Sequence, residues 1–208
     1  MREPYNNIVC ESGGLVMSKG KEERIFYFDK KGPVNTDKTL EIAIACCNER
    51  GIKKIVLASS TGETAIRLRE KAGDSIEVIA VTYSAGSRFR EEVEGFERNR
   101  DLLISKGIRI VRGLHALSGL ERGFEGRYKS GFIPLNLVSD TLRMFSQGVK
   151  VCVEISVMAA EHGFISTDED IVAIGGSGKG ADTAMIIRPA FAANFFDTKI
   201  KAILCMPG

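Results

Sequence analysis

The sequence predicts a single three-layer α/β domain, with a mostly parallel sheet of about five or six strands and helices on both faces. Two observations support this fold class. Apolar runs of about five to seven residues alternate with helical segments along the chain. These runs are continuous, as strands buried on both faces require, whereas strands with one wet face alternate apolar and polar residues. No linker divides residues 25–208, which we take as one ligand-binding domain after an N-terminal arm at 1–24, expected to be irregular.

The first elements of the domain follow from local signals. A short apolar run predicts a strand at 25–28, and glycine and proline predict a turn at 29–33. Asn35 or Thr36 is a suitable N-cap for the helix that follows, and Gly51 ends that helix.

A regular β-α-β-α-β succession comes next. Buried strands are predicted at 52–58, 76–82 and 108–111, each from consecutive aliphatic residues. The segments 64–72 and 91–106 have helical spacing of their apolar residues and connect these strands.

The second half of the chain is less regular. Residues 113–134 are rich in glycine and predict a long loop with little regular structure, and such a loop inside a compact domain is usually functional or mobile. The remaining predicted elements are helices at 135–147 and 149–162, a strand at 170–174, a helix that starts at 181–187 and is interrupted by Pro189, and a last strand at 200–205.

Composition argues against several classes of protein. The 29 basic and 27 acidic residues form no block of one sign, so a nucleic-acid surface is not expected. The most apolar stretch, 149–160, is too short to span a membrane, and the N-terminus lacks a secretory signal, so we expect a cytoplasmic protein. The five cysteines are odd in number and form no C-x-x-C pair, which favours reduced, buried thiols over a metal or redox site.

The segment Ser59-Ser60-Thr61-Gly62-Glu63-Thr64 lies between a predicted strand and a predicted helix. Free N–H groups at a helix N-terminus and the helix dipole favour an anion, hydroxyl groups add donors, and Gly62 would let the backbone close on a phosphate. The alternative is an ordinary capped helix. The pattern resembles the phosphate loop of flavodoxins, [TS]-x-T-G-x-T, and the absence of lysine fits a phosphate monoester. FMN is therefore the first-choice cofactor.

Two further segments should lie beside this loop at the carboxyl ends of the strands. One is the end of the second strand, where Tyr83 could stack on a flavin ring. The other is a late glycine-rich loop that is a weak match to a dinucleotide fingerprint and lacks the Walker A pattern. That loop could equally be a tight turn for helix packing. The candidate contacts from these two segments are Thr82, Tyr83, Gly175, Gly176, Ser177, Gly178, Gly180, Asp182 and Thr183.

His115, in the long middle loop, is the candidate catalytic acid or base, because histidine titrates near neutral pH. A lone histidine in a loop is more often only solvated. Lys150 and Glu154 are spaced i and i+4 in a predicted helix. They form either a surface ion pair or a buried polar pair behind the site. For His162, at the end of that helix, we expect a C-terminal capping role.

The segments Asn35-Thr36, Ser60-Thr61-Gly62-Glu63-Thr64-Ala65 and Gly180-Ala181-Asp182-Thr183-Ala184 resemble a stand-alone, mostly archaeal family similar to the α/β C-terminal domain of pyruvate kinase. The resemblance implies the fold and a phosphate-binding crevice. It implies no pyruvate kinase activity, since no catalytic barrel is present in this sequence.

The sequence leaves three functions open. The first is an FMN protein that could be a flavin-dependent oxidoreductase. The second is a non-catalytic regulatory module that senses a sugar phosphate or nucleotide, and the third is a transferase or hydrolase of a phosphorylated metabolite. All three share a small phosphorylated ligand as partner, with no nucleic acid and no membrane. A homo-oligomer stays open.

Overall fold

The computed structural model describes residues 8–11, 14–17, 22–129 and 132–208. The arm predicted at 1–24 is not wholly irregular. Its described part contains two short antiparallel strands, β1 (Ile8–Glu11) and β2 (Gly14–Met17), that pair with each other. Each strand carries consecutive aliphatic residues, which favour extended backbone.

The main sheet has seven strands in the order β3-β9-β8-β7-β4-β5-β6. Their bounds are β3 Phe26–Phe28, β4 Lys54–Ala58, β5 Glu77–Thr82, β6 Arg109–Arg112, β7 Ile171–Gly175, β8 Thr183–Arg188 and β9 Lys199–Pro207. Four neighbouring pairs are parallel, and only β8 runs antiparallel to its two neighbours. The predicted α/β class with a mostly parallel sheet is confirmed, with more strands than expected.

Helices cover both faces of the sheet. Their bounds are α1 Thr36–Arg50, α2 Glu63–Ala72, α3 Arg90–Ser105, α4 Glu121–Tyr128, α5 Pro134–Arg143 and α6 Gln147–Glu161. Buried residues of α1, α2 and α3 form one core with the sheet, including Leu40, Leu68 and Phe96. The other core contains α6, in which every residue from 148 to 160 except the half-buried Val151 is buried. None of the helices in the described ranges is both long and apolar enough to cross a lipid bilayer.

Two sequence predictions were wrong. The segment at 181–187 is not the start of a helix but leads into strand β8, which pairs with β7 and β9. A short buried apolar run has no periodicity that separates a strand from a helix, and the pairing partners decide. The loop at 113–134 contains helix α4, whose Gly123 and Gly126 weaken the helical signal.

The strand order positions the site. From β4 the chain proceeds outward to β5 and β6, then returns across the sheet to β7, on the opposite side of β4. These four strands are mutually parallel, so the segments after their carboxyl ends lie at one edge of the sheet. A change of direction between two neighbouring parallel strands opens a crevice at that edge, where ligands bind in open α/β sheets.

Candidate functional site

A cleft of about 940 Å³ lies at this edge, bounded by the segments after β4, β5, β6 and β7 and by α4 and α6. Its volume falls in the range of small-molecule sites, about 300–1,000 Å³. The fold therefore brings together segments that are far apart in sequence. The cleft is lined by these residues that the sequence singled out: Ser59, Ser60, Thr61, Glu63, Thr64, Thr82, Tyr83, His115, Gly176, Gly178 and Gly180.

The other candidate residues do not line the cleft: Gly62, Gly175, Ser177, Asp182 and Thr183. Asp182 is fully buried and accepts hydrogen bonds from the backbone N–H groups of Gly32 (2.9 Å) and Ser177 (3.1 Å) and from Thr183 Oγ1 (2.9 Å). It therefore ties the late loop to the segment after β3. A Cβ at Gly175 would lie 2.5 Å from the Gly148 carbonyl oxygen, so this glycine permits close packing of α6 on β7.

The segment from Ser59 to Thr64 presents donors that have no partner within the described part of the chain. The first backbone hydrogen bond of α2 runs from Ile66 N to the Gly62 carbonyl, and no side chain caps this helix end. The N–H groups of residues 63–65 are therefore free, as at any uncapped helix start. Ser59 is 4% exposed and its Oγ has no hydrogen-bond partner. The helix therefore begins after Gly62 without a side-chain cap, so no serine or threonine of the loop is used as a capping acceptor.

Gly62 is needed for a reason other than room for an anion. Its φ of +89° lies in the left-handed region, which side chains other than glycine rarely adopt. A Cβ at this position would lie 2.9 Å from Leu103 Cδ1 and 3.3 Å from Asn99 Cβ, both on α3, rather than in the cleft. Asn99 Nδ2 also donates to the Thr61 carbonyl at 2.9 Å. Helix α3 thus holds the loop in place on the side that faces away from the cleft.

We expect Gly62→Ala to lower the free energy of unfolding by about 2–3 kcal/mol, because backbone strain and a forced shift of Leu103 add. Gly51→Ala is the matched control, since Gly51 has φ +69° but open space around its Cβ position, and it should cost only about 1 kcal/mol. Urea unfolding of both variants measures the difference. Equal losses would show that the contact with α3 contributes nothing.

The cleft is rich in positive charge. Five basic side chains and two carboxylates line it, and the basic ones are Arg88, Arg122, Arg143, Lys150 and Lys179. Arg88 and Arg143 could not be recognised as site residues from the sequence, because no run of basic residues marks them. The position of Arg88, shortly after the carboxyl end of β5, is the one signal that could have found it. Arg143, at the end of α5, had none.

Three rings form a stack along one wall. Tyr83 stacks on Phe89, with ring centroids 4.9 Å apart, and on His115, with centroids 5.7 Å apart. A flavin ring that stacked on Tyr83 would compete with these two contacts, so the stacking role predicted for Tyr83 is disfavoured. Burial, followed by the charge of Glu92, raises the pKa of the Tyr83 hydroxyl, which keeps it neutral near pH 7.

A buried ion pair lies on the floor of the cleft. Lys150 Nζ is 2.6 Å from Glu154 Oε2, and the side chains are only 4% and 3% exposed. Of the two arrangements that the sequence left open, the structure therefore shows the buried polar pair and not the surface ion pair. Burial alone would raise the pKa of Glu154, but hydrogen bonds and charges from His115 and Lys150 outweigh it and lower this pKa to about 2. Burial lowers the pKa of Lys150, and the nearby Glu154 carboxylate opposes that shift.

The described cysteines offer no competing chemistry. Cys46, Cys47, Cys152 and Cys205 are buried and form no disulfide among the described residues. Burial raises the pKa of Cys47 to about 12 and that of Cys205 to about 11, so both stay protonated and unreactive near pH 7. No group of three or more His, Cys, Asp or Glu residues within the described ranges could hold a metal ion.

The fold and the cleft together define an α/β domain with a crevice, lined by basic side chains, where the strand order reverses. Residues 37–187 match the protein family described as "Pyruvate kinase, alpha/beta domain", and the chain belongs to this family. Among solved structures, a pyruvate kinase from Cryptosporidium parvum shares 18% identity at a TM-score of 0.39 over 77% of this chain and 24% of that one. The same organism's enzyme in complex with ADP shares 18% identity at a TM-score of 0.40 over 77% of this chain and 25% of that one. The chain thus spans about a quarter of the length of these pyruvate kinases.

Proposed function

We propose that this protein binds a phosphorylated nucleotide-like ligand in the cleft, with its phosphate on the loop from Ser59 to Thr64. The observation that carries the proposal is the buried, unpartnered hydroxyl group of Ser59 beside the uncapped N-terminus of α2. Buried polar groups are almost always hydrogen-bonded, so a donor without a partner at a cleft points to a missing acceptor. A phosphate supplies several acceptors and the charge that the helix dipole favours.

The arrangement is sufficient for useful affinity. A neutral hydrogen bond contributes about 1 kcal/mol net, and one to a charged acceptor about 1.5–3 kcal/mol. The free N–H groups and the hydroxyl groups of Ser59, Ser60, Thr61 and Thr64 provide about four or five such bonds, which after ordering costs support micromolar binding. The basic side chains that line the cleft strengthen the attraction and raise the rate of encounter.

FMN is our first choice among phosphorylated ligands. The loop has the flavodoxin-like Ser59-x-Thr61-Gly62-x-Thr64 pattern and carries no lysine, which suits a monoester. The cleft is large enough for a nucleotide with a flat ring. Beyond the loop, Thr82 and the segment 176–180 line the cleft and are available to the ring, whereas Tyr83 is already stacked on Phe89 and His115. Bound FMN would supply hydride- and electron-transfer chemistry, and the protein would then be a flavin-dependent oxidoreductase.

A spectrum and a titration test this choice. Freshly purified protein should absorb near ~450 nm if it retains flavin. Ligand-free protein should bind FMN with micromolar affinity and riboflavin at least about 100-fold more weakly, because riboflavin lacks the phosphate. Fructose bisphosphate and AMP complete the series. Tighter binding of either one than of FMN would favour the regulatory module, and equal affinity for FMN and riboflavin would refute the phosphate site.

Thr61 allows a hydroxyl group to be removed without a change of shape. Its Cγ2 lies 3.2 Å from the Cβ position of Gly95 on α3, so the methyl group packs there. We expect Thr61→Val to weaken FMN binding about tenfold and Thr61→Ser to leave it within about twofold. Thr167→Val, at the opposite edge of the sheet, is the control and should change nothing. The same affinity in the valine and serine variants would exclude the hydroxyl group as a donor.

A further inference from the structure

We propose that His115 is a proton donor and acceptor for the molecule bound in the cleft, with its Nε2 presented to that molecule and Glu154 as its positioning residue. This inference rests on the proposed function, because it requires a ligand in the cleft. It goes beyond ligand binding, since a module that only senses a phosphate needs no group that exchanges protons with its ligand.

Glu154 and Lys150 form a buried ion pair inside a mostly apolar helix. Apart from this pair and Ser156, the buried residues of α6 are apolar, and an ion pair inside such a helix has a large desolvation cost. A pair of hydrophobic residues of similar size would pack there without that cost. Lys150 and Glu154 nevertheless both line the cleft. Because the fold keeps these charges in spite of their desolvation cost, and because they line a cleft, they are candidates for a functional role.

The Glu154 carboxylate makes four polar contacts. Glu154 Oε1 accepts from the Leu117 backbone N–H (3.1 Å) and from Ser118 Oγ (3.4 Å), while Oε2 contacts Lys150 Nζ (2.6 Å) and His115 Nδ1 (3.4 Å). Both oxygens are thus in use, and the segment after β6 is tied to α6. Because the pKa of Glu154 lies at about 2, the group is a carboxylate throughout the neutral range.

The contact with Glu154 and the stacking on Tyr83 fix the orientation of the His115 ring. A carboxylate can only accept, so the neutral ring carries its proton on Nδ1. Nε2, on the other side of the ring, is then a free lone pair, and no hydrogen bond of the described residues involves it. The ring stacks on Tyr83 and is 25% exposed in the cleft. A ring held at one nitrogen and stacked on one face is suited to take a proton at Nε2 and return it.

The surrounding charges leave this role to His115. Charged groups from several elements line the cleft: Glu154 and Lys150 on α6, Arg122 on α4, Arg143 on α5, Glu63 on α2, Arg88 after β5 and Lys179 after β7. Lys150 and Glu154 neutralise each other. Arginine does not release its proton in proteins, and Tyr83 is held neutral by its raised pKa. His115, held at Nδ1 and lining the cleft, has a ring nitrogen that no described residue engages, so it can take up and return a proton there.

The test uses the two histidines of this chain, of which His162 serves as the internal control. His162 Nδ1 lies 2.9 Å from the Met158 carbonyl oxygen, and the residue lines a separate groove on the molecule. Nitrogen-15 NMR of the imidazole groups, assigned with His162→Asn, should show His115 protonated at Nδ1. Addition of FMN should move the Nε2 resonance of His115 and leave His162 unchanged.

Chemical modification gives a second measurement. Diethyl pyrocarbonate reacts with an unprotonated imidazole nitrogen, so it should modify His115. FMN at ten times its Kd should slow this about tenfold, as mass action requires, without protecting His162. Glu154→Leu leaves no acceptor opposite Nδ1 and should remove the fixed tautomer. Because that variant leaves Lys150 without a counter-charge, the double variant Lys150→Met with Glu154→Leu repeats the measurement with neither charge and no acceptor present.

The outcomes separate this proposal from the function on which it rests. If FMN binds, as flavin fluorescence reports, but neither the Nε2 resonance nor the modification rate of His115 responds, the proton-transfer role is wrong and the binding site stands. If the tautomer of His115 is unchanged in the double variant, Glu154 does not position the ring. If FMN, AMP and inorganic phosphate all fail to bind, the proposed function itself falls.

Discussion

Glu154→Gln is expected to lower the free energy of unfolding by about 3–5 kcal/mol, which is the cost of leaving a buried charge uncompensated. Lys150 is the charge in question, because it is 3% exposed and Glu154 is its counter-ion at 2.6 Å. The double variant Lys150→Met with Glu154→Gln should recover most of this loss, since it removes both charges from the apolar helix. Urea unfolding measures all three proteins.

The matched control for this prediction is Glu41→Gln. Glu41 and Lys38 also form an ion pair within a helix, but at 3.8 Å and with side chains that are more than half exposed. Exposed pairs contribute under about 1 kcal/mol, so this variant should be nearly as stable as the original protein. If Glu154→Gln destabilises no more than Glu41→Gln, the pair on the cleft floor is not desolvated as its burial implies.

The same pair makes stability depend on pH. The pKa of Glu154 in the folded protein, about 2, lies below its ordinary value of 4.5. Its contribution, on the order of 3 kcal/mol, is therefore fully present above about pH 4.5 and is lost as the pH falls toward 2. The double variant lacks this group, so its stability should fall less between pH 5 and pH 3 than that of the original protein. If the stability of the two proteins falls equally between pH 5 and pH 3, Glu154 does not have the lowered pKa assigned to it.

Ser60→Asp is expected to weaken FMN binding at least about 100-fold, or about 2.7 kcal/mol, because a carboxylate in the loop repels the phosphate. Ser60 is half-buried and lines the cleft, three residues before Glu63, the first residue of α2. A negative charge near a helix N-terminus is favourable for folding, by up to about 1 kcal/mol. The variant should thus lose its ligand while its stability stays equal or rises.

Two control variants isolate the charge. Ser60→Asn has nearly the same shape as Ser60→Asp without the charge, and it should cost less than about tenfold in affinity. Ser166→Asp adds the same charge at the opposite edge of the sheet and should leave FMN binding unchanged. If Ser60→Asp binds FMN as Ser60→Asn does, the phosphate does not lie at this loop, and the central proposal is wrong.

Local and periodic signals in the sequence determined most of the fold. The helix that begins at Thr36 and ends before Gly51 was predicted because its start and stop residues are adjacent to it in sequence. The strands β4 and β5 were predicted because short, continuous aliphatic runs bounded by turns are typical of buried strands. The cleft loop from Ser59 to Thr64 was found for the same reason, as a short motif between such a run and a helix.

Tertiary structure decided the features that depend on distant partners. Strand β8 could not be told from a helix in the sequence, because its neighbours β7 and β9, not its own pattern, fix its conformation. The burial of Lys150 and Glu154 and the contact of His115 with Glu154 depend on how the segment after β6 packs on α6. Asp182 looked like a ligand contact and is instead a tie between two loops. Sequence patterns report a residue's own backbone and face, whereas the partner across the fold decides whether a polar side chain binds a ligand or the protein itself.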